Sequence, residues 1–455
     1  MGISALGTGS SILTQDLLDQ LREADDAAQI QPLDLEIANQ KDKVAEYDVI
    51  DANMTNLYDA IGELKTPALF DERKTTIMGT SVEVTASANS DLQDFTLDVT
   101  QLATKQIEES GSYSDTTSTI ASDDGSMTLS VGDQDFTIDY TASTTLKDLK
   151  KSINDIAGDA VNATIVQVAD GDYRLFLNSV DTGSDKDISF TDDTGNLSGT
   201  QLTDDMTAVQ TGVDAEFTFN GQAITRTSNN VSDLITGYNI TLKEVGVSKV
   251  NVTQNRDNIT EKIDSFVTKY NATMDELGRA TKNSIDSSER GIFAGESTMK
   301  SLQNSLRSMM DNVGGGVGTL YDFGFDIDKD GKLSIDKTIF NTKMDDNSAN
   351  VEAFFSGGDY TNSDGTVTTV EGAFTEMSAR VEDYTQFNGM LDNYKTYLDD
   401  GIQSLEDRKI SLTESLDSKY AILKQQYAAY DGMIAQLNNA SSMFTDMMNA
   451  NRKDN

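Results

Sequence analysis

The stretch LDNYKTYLDDGIQSLEDRKISLTESLDSKYAILKQQYAAYDGMIAQLNNASSMFTDMM, residues 391–448, decides the fold. Its apolar positions are Leu391, Tyr394, Leu398, Ile402, Leu405, Leu412, Leu416, Tyr420, Leu423, Tyr427, Tyr430, Ile434, Leu437, Phe444 and Met448. They recur in steps of three or four, with Lys409 and Ser441 in two polar slots. That spacing returns side chains to one face of a helix, and such a stripe asks for a partner helix. No proline interrupts it, so nothing forces a kink. Two runs of four-residue steps, Tyr394 to Leu398 to Ile402 and Leu412 to Leu416 to Tyr420, pull the repeat away from a strict heptad.

The opposite end of the chain offers a partner. Leu13, Leu17, Leu21, Ala24 and Ala28 mark one apolar helix face before Pro32. A second stripe runs through Ile37, Val44, Tyr47, Met54, Leu57, Ile61 and Leu64 and stops near Pro67, which disfavours helix at the residue before it. The inner segments read as an intradomain helical hairpin. The outermost segments sit at termini, where an undocked helix frays, so their apolar faces are expected to be kept for another molecule. Ordering a residue costs about 1–2 kcal/mol of backbone entropy, and burying a seam side chain returns about 1.5–3 kcal/mol. With one apolar residue in about 3.5, seam burial by itself does not offset that cost, and the seam is expected to order only on docking.

Between the ends the period changes to two. Val82, Val84, Phe95, Leu97 and Val99 alternate with polar residues and predict strands. Residues 127–131 and 136–140 predict a hairpin around residues 132–135, and Thr145 is placed to cap a short helix through Leu146, Leu149 and Ile153. Strands follow at 163–168 and 173–177, turned by Asp170-Gly171, while Ser179 to Thr207 reads as loops. Strands return at 215–219 before Asn220-Gly221, a strong hairpin dipeptide, and continue at 240–242 and 250–252. Helical spacing resumes at Ile259, Ile263, Phe266, Tyr270 and Met274, and again at Met299, Leu302, Leu306 and Met309. After a short β-like insertion from Leu320 to Ile335, helices are expected to run to the C-terminus, so the two chain ends should meet.

The expected fold class is α+β multidomain: terminal coiled-coil-like helices and a helical bundle formed by both chain ends, with two β-rich domains inserted between them. The expected division is an N-terminal helical leg, 1–40; a bundle, 41–78 with 256–400, carrying a small β insertion near 320–336; a β-rich domain, 79–110 with 205–255; an inserted α+β module, 111–204; and a C-terminal coiled-coil leg, 401–455. A length of 455 residues suits such a division.

Charge excludes whole classes of function. Acidic residues number 76 against 35 basic, a net charge of −41, which repels nucleic acid and anionic membranes. No apolar stretch approaches a membrane span, and the Gly- and Ser-rich start lacks the features of a Sec signal, so the chain is expected either to stay in the cytosol or to leave with its N-terminus retained. Cysteine and histidine are absent, which removes disulfides, thiol nucleophiles and the usual general base. No enzyme activity, metal or cofactor is expected.

Weak motifs resolve to structure. Asp326-Ile-Asp328-Lys-Asp330-Gly331-Lys-Leu-Ser334 matches the first nine positions of a calcium loop, but Lys337 stands where a bidentate glutamate must close the ion shell. A β-turn at Asp330-Gly331 is favoured. Gly314-Gly315-Gly316 lacks the following Lys-Ser/Thr of a phosphate loop and reads as a flexible loop. Neighbouring carboxylates such as Asp192/Asp193 carry little information among 76 acidic residues.

Further residues carry a resemblance. Gly7-Thr-Gly9 followed by Leu17, Leu21 and Pro32-Leu33, then Phe219-Asn-Gly221, Arg226-Thr-Ser-Asn229, Ile235-Thr-Gly237, Phe266-Val-Thr-Lys-Tyr270-Asn271 and Val351-Glu-Ala-Phe-Phe355-Ser-Gly357 together resemble the flagellar filament capping family (hook-associated, FliD family) over nearly the whole chain. Thr8 stands where serine is usual. Leu146-Lys-Asp-Leu149 leading to Ile153-Asn154 resembles a flagellin-type module. The resemblance implies a homo-oligomeric ring at the distal tip of the flagellum, pentameric as the favoured count, beneath which exported flagellin folds and joins the filament. It implies flagellin, hook–filament junction proteins and a cytosolic export chaperone as partners, and export through the flagellar type III pathway to the cell exterior. The β-domains would form a plate and the helical ends legs. The expected interface residues are Leu17, Leu21, Leu412, Leu416, Leu423, Tyr427, Ile434, Leu437 and Phe444. An adhesin, or another axial protein such as a flagellin or a junction protein, is the competing class.

Overall fold

The computed structural model describes residues 9, 10, 12, 14–311 and 316–453. Leu13, Gly7-Thr8 and Gly314-Gly315, singled out above, lie outside the described residues. The chain enters through α1 (Gln15–Gln29) and α2 (Gln31–Leu64), then passes a one-turn helix α3 (Ala68–Asp71) and, deep in the β-rich stretch, α4 (Leu146–Ala157). It returns through α5 (Arg256–Ala280), α6 (Ser297–Asp311), α7 (Lys337–Ser356), α8 (Ala373–Thr385) and the long α9 (Met390–Lys453). Two compact units result: Met1–Pro67 with Ile259–Asn455, and Ala68–Asn258. Helical ends flanking inserted β structure are the fold class that the hydrophobic periodicity predicts.

In the helical unit, Thr14 caps α1 by accepting from the Leu17 amide at 3.2 Å. Pro32 sits in the first turn of α2, where its missing N–H costs nothing. The face of α2 carrying Tyr47, Ile50, Met54, Leu57, Ile61 and Leu64 is buried and packs beside α8 and α9. An aromatic cluster closes the core: Phe323 stacks on Phe354 at 3.9 Å, Phe355 meets Phe374 at 4.8 Å, and Phe374 meets Phe266 edge-on at 5.1 Å. The Asp326–Ser334 motif is a hairpin. Asp328 Oδ1 accepts from the amides of Asp330 and Lys332, both at 2.9 Å, so its carboxylate is spent on the turn. Asp336 caps α7, and Lys337 pairs with Asp264 at 2.6 Å.

The β unit holds two cores. An antiparallel five-stranded sheet, ordered 73–78, 246–254, 93–101, 215–219, 222–226, faces a three-stranded sheet of 230–231, 238–242 and 82–86. Phe95, Leu97, Val99, Phe217, Ile240 and Val250 fill the space between them. Asn220 and Gly221 both take positive φ, 50° and 85°, as a type I′ hairpin turn requires. The second core gathers α4, a four-stranded sheet (207–210, 105–109, 172–182, 161–169) and a three-stranded one (134–140, 125–131, 188–192). Thr145 and Asp148 form the capping box of α4.

Three local expectations are corrected. The loop expected from Ser179 to Thr207 contains the end of a strand reaching Thr182 and a further strand, Ile188–Asp192. Within that second strand only Ile188 and Phe190 are buried, and two apolar residues among acids carry little periodicity. Asp192 organises the turn after it, accepting from the Tyr140 hydroxyl at 2.8 Å and the Leu197 amide at 3.0 Å. The return through helices is interrupted by a hairpin, Gly358–Thr361 with Val367–Val370, whose β-branched Val-Thr-Thr-Val run was its signal. The turn expected over residues 132–135 is tighter, since Val131 pairs with Gln134 and leaves two residues in the loop.

Candidate docking surface on the terminal helices

Helix α9 has 64 residues, which at 1.5 Å per residue makes it roughly 95 Å long. Its first turns are core: Leu391, Tyr394 and Leu398 are buried. Further along, α2 and then α1 lie against it. Charged pairs mark the seam: Lys41 with Glu406 at 2.8 Å, Lys409 with Asp34 at 2.5 Å, Arg22 with Asp417 at 2.5 Å and Lys419 with Asp25 at 2.7 Å. These pairs are largely exposed and worth little each; they set register more than stability. Lys409, the polar slot in the apolar stripe, thus has its own partner.

The face that α1 turns to α9 is carried by Leu18, Arg22 and Asp25. Leu18 is buried, whereas Leu21, Ala24 and Ala28 are exposed and Leu17 is half-buried. Asp25 also accepts from the Tyr420 hydroxyl at 2.8 Å, and the Arg22 guanidinium lies 5.7 Å over the Tyr420 ring. Counting apolar residues alone places the face about one position, or 100°, away, because the seam here is partly ionic.

The N-terminal segment makes a second contact beyond α1. Asp431, 1% exposed, accepts the Gly9 amide at 3.0 Å and the Ser10 amide at 2.6 Å. Asn438 Nδ2 donates to the Gly9 carbonyl at 2.9 Å. A Cβ on residue 9 would come within 2.0 Å of the Asp431 carbonyl oxygen, so glycine is what lets this segment approach the helix backbone. Asp431 occupies the stripe position between Tyr427 and Ile434, and Tyr430, assigned to the seam from spacing, is exposed. An acid inside an apolar stripe was the available signal.

The expected interface residues therefore divide. Leu416 is buried; Leu17, Leu412, Leu423, Tyr427 and Ile434 are half-buried; Leu21, Leu437 and Phe444 are exposed. The inner part of the stripe lies against α1, and Gly9 and Ser10 reach Asp431 and Asn438, while Leu437 stays exposed. Past Asn438 every described side chain on α9 is exposed, and Phe444, Met447 and Met448 continue the stripe uncovered. This outer segment is helical as it stands.

The Lys419 and Tyr420 hydrogen bonds hold the Asp25 carboxyl below its ordinary pKa. A depressed pKa means that ionised Asp25 favours docked α1 above its ordinary value and that the preference fades as pH falls through the depressed one. The distance between spin labels at residues 20 and 418 is expected to stay constant down to about pH 5 and to broaden below about pH 4. Asp25→Asn should broaden it at neutral pH.

Among the described residues no group of three or more acidic side chains is placed to hold a metal ion, and no helix is long and apolar enough to cross a membrane. The features present are a long helix, a partial helical sleeve and an open apolar end. They define the class: an α+β multidomain protein in which the two chain ends build one helical unit and the residues between them a β-rich one. Family models say which one: that for the flagellar hook-associated protein 2 N-terminus matches residues 10–106, and that for its C-terminus residues 212–439. The chain belongs to the flagellar hook-associated protein 2 family. It is 24% identical to the Aeromonas caviae protein of that name over 100% of both chains, and 27% identical to that of Escherichia coli K12 over 99% of this chain and 98% of the relative. The crystal structure of the D1-D2-D3 domains of the flagellar cap protein FliD from Escherichia coli aligns with a TM-score of 0.60 at 26% identity, covering 78% of this chain and 99% of that one.

Proposed function

We propose that this chain caps the distal end of a bacterial flagellar filament as a homo-oligomer and promotes folding and insertion of exported flagellin through its terminal helices. The observation that carries this reading is the correspondence of 78% of this chain with the D1-D2-D3 domains of a flagellar cap protein, beside family matches over residues 10–106 and 212–439. The open end of α9 supports it, since a cap needs a part of itself free to engage a polymer.

In this reading five copies form the ring. The β unit supplies the plate, and segments 1–40 and 401–455 supply the legs. Leu21, Leu437 and Phe444 meet filament subunits directly. Leu17, Leu412, Leu416, Leu423, Tyr427 and Ile434 join the contact where α1 and the residues before it lift away. A seam of low local stability suits a leg that releases and re-docks as each subunit enters. The protein works outside the cell at the filament tip, reached through the flagellar type III channel with a cytosolic chaperone's help, and it first seats on the hook–filament junction proteins.

Deleting the gene is expected to leave cells non-motile and leaking flagellin into the medium, and supplying this chain should restore filaments. Filaments of normal length in the deletion strain would overturn the reading.

A further inference from the structure

Sulfur is distributed unevenly over this molecule. There is no cysteine, so the 16 methionines carry all of it. Met54, Met127, Met299 and Met377 are completely buried. Among the described residues the exposed methionines are Met78, at 72%, and four on one segment of α9: Met433 at 50%, Met443 at 66%, Met447 at 65% and Met448 at 68%. Met443, Met447 and Met448 lie past Asn438 around Phe444, and Met433 is exposed one helical turn before Leu437. A flexible, polarizable thioether suits a surface that must fit a moving polymer end. It also makes that surface chemically vulnerable.

We propose that outer α9 is an oxidation site, at which Met433, Met443, Met447 and Met448 take oxygen from a peroxide or hypohalous acid and the resulting sulfoxides switch docking off. With hydrogen peroxide, a sulfur lone pair attacks one oxygen, the S–O bond forms and the O–O bond breaks. The departing hydroxide takes the proton of the transferred hydroxyl and leaves as water. Sulfur loses two electrons and the peroxide gains two. Each event turns an apolar contact into a polar, chiral one. Buried methionines are screened from the oxidant, so the damage falls on the docking end while the cores stay intact. The effect on docking rests on the capping reading; the selectivity of oxidation does not.

The test treats the purified full-length protein with hydrogen peroxide and follows each methionine by peptide mass mapping and binding to sheared filament ends. The four α9 methionines and Met78 should oxidise at least about ten-fold faster than the buried ones. Filament-end binding should fall about ten-fold or more and return on treatment with methionine sulfoxide reductases. The combined variant Met433→Leu, Met443→Leu, Met447→Leu, Met448→Leu should keep, after the oxidant, whatever filament-end binding it shows before it, whereas Met78→Leu should give no protection. Undiminished binding by the oxidised wild type, or equal sensitivity of the leucine variant, overturns the switch. Unoxidised Leu437→Asp with Phe444→Asp separates the two readings. If that variant fails to bind while oxidised wild type binds, only the switch falls; if it binds, docking through outer α9 falls and the switch with it.

Discussion

Cells whose only copy carries Leu437→Asp with Phe444→Asp are expected to grow no filament, although the protein is made and folded. Both side chains are exposed, at 69% and 73%, so the isolated molecule has little to lose. Surface changes of this kind usually move stability by less than about 0.5 kcal/mol. The docked state loses far more. Burial of each side chain is worth about 1.5–3 kcal/mol, and a carboxylate forced into the same apolar contact adds a desolvation cost of several kcal/mol. A combined loss of about 5 kcal/mol or more lowers affinity by roughly three to four orders of magnitude. Leu423→Asp with Ile434→Asp should also stop growth, by a different route. Those positions are half-buried, so the change loosens the N-terminal segment before any partner arrives. Motility, flagellin in the medium and the circular-dichroism melting curve separate the cases. Both pairs abolish motility, and only the second changes the monomer. Normal swimming with the first pair would remove outer α9 from the mechanism.

That contrast depends on features of unequal legibility. The helical ends and the β-rich middle follow directly from periods of 3.6 and 2, because burial of one face imposes those spacings regardless of detail. Thr145, Asn220-Gly221 and the Asp330-Gly331 turn were readable for a related reason: each meets a local backbone demand with its own side chain or conformational freedom. The strand at Ile188–Asp192 was not, since its partners lie far away in sequence and its own apolar signal is two residues. The hairpin at Gly358–Thr361 and Val367–Val370 sits between helices and is mostly exposed, so no buried face marked it. At the docking surface, spacing located the stripe but not what covers it. Leu18 rather than Leu21 faces α9 because Arg22 and Asp25 make polar contacts there, and a hydrophobic count is blind to those. Asp431 is held by two backbone amides, which every residue but proline possesses and which therefore leave no trace in a sequence.

Phe355→Ala should be the most damaging single change to the helical unit. Its ring is completely buried, with ring centroids of Phe374 at 4.8 Å, Phe340 at 5.9 Å and Phe323 at 6.1 Å. Removing it opens a cavity that the surrounding helices can only partly close, at a cost of about 3–5 kcal/mol. Lost aromatic pair contacts add to the lost apolar area. Phe355→Leu keeps most of the volume and should cost no more than about 1.5 kcal/mol. The expected readout in urea is an earlier transition for the helical unit of Phe355→Ala with the transition of the β unit unmoved, since each unit has its own core. Function should fail with it, because buried Leu391 and Leu398 anchor the base of α9 in that same unit. In the proposed role a docking helix needs a fixed root. Protease should then cut within α7 and the first turns of α9 in the variant while leaving fragment 68–258 intact, and equal resistance of wild type and variant would show that the aromatic cluster does not brace the stalk.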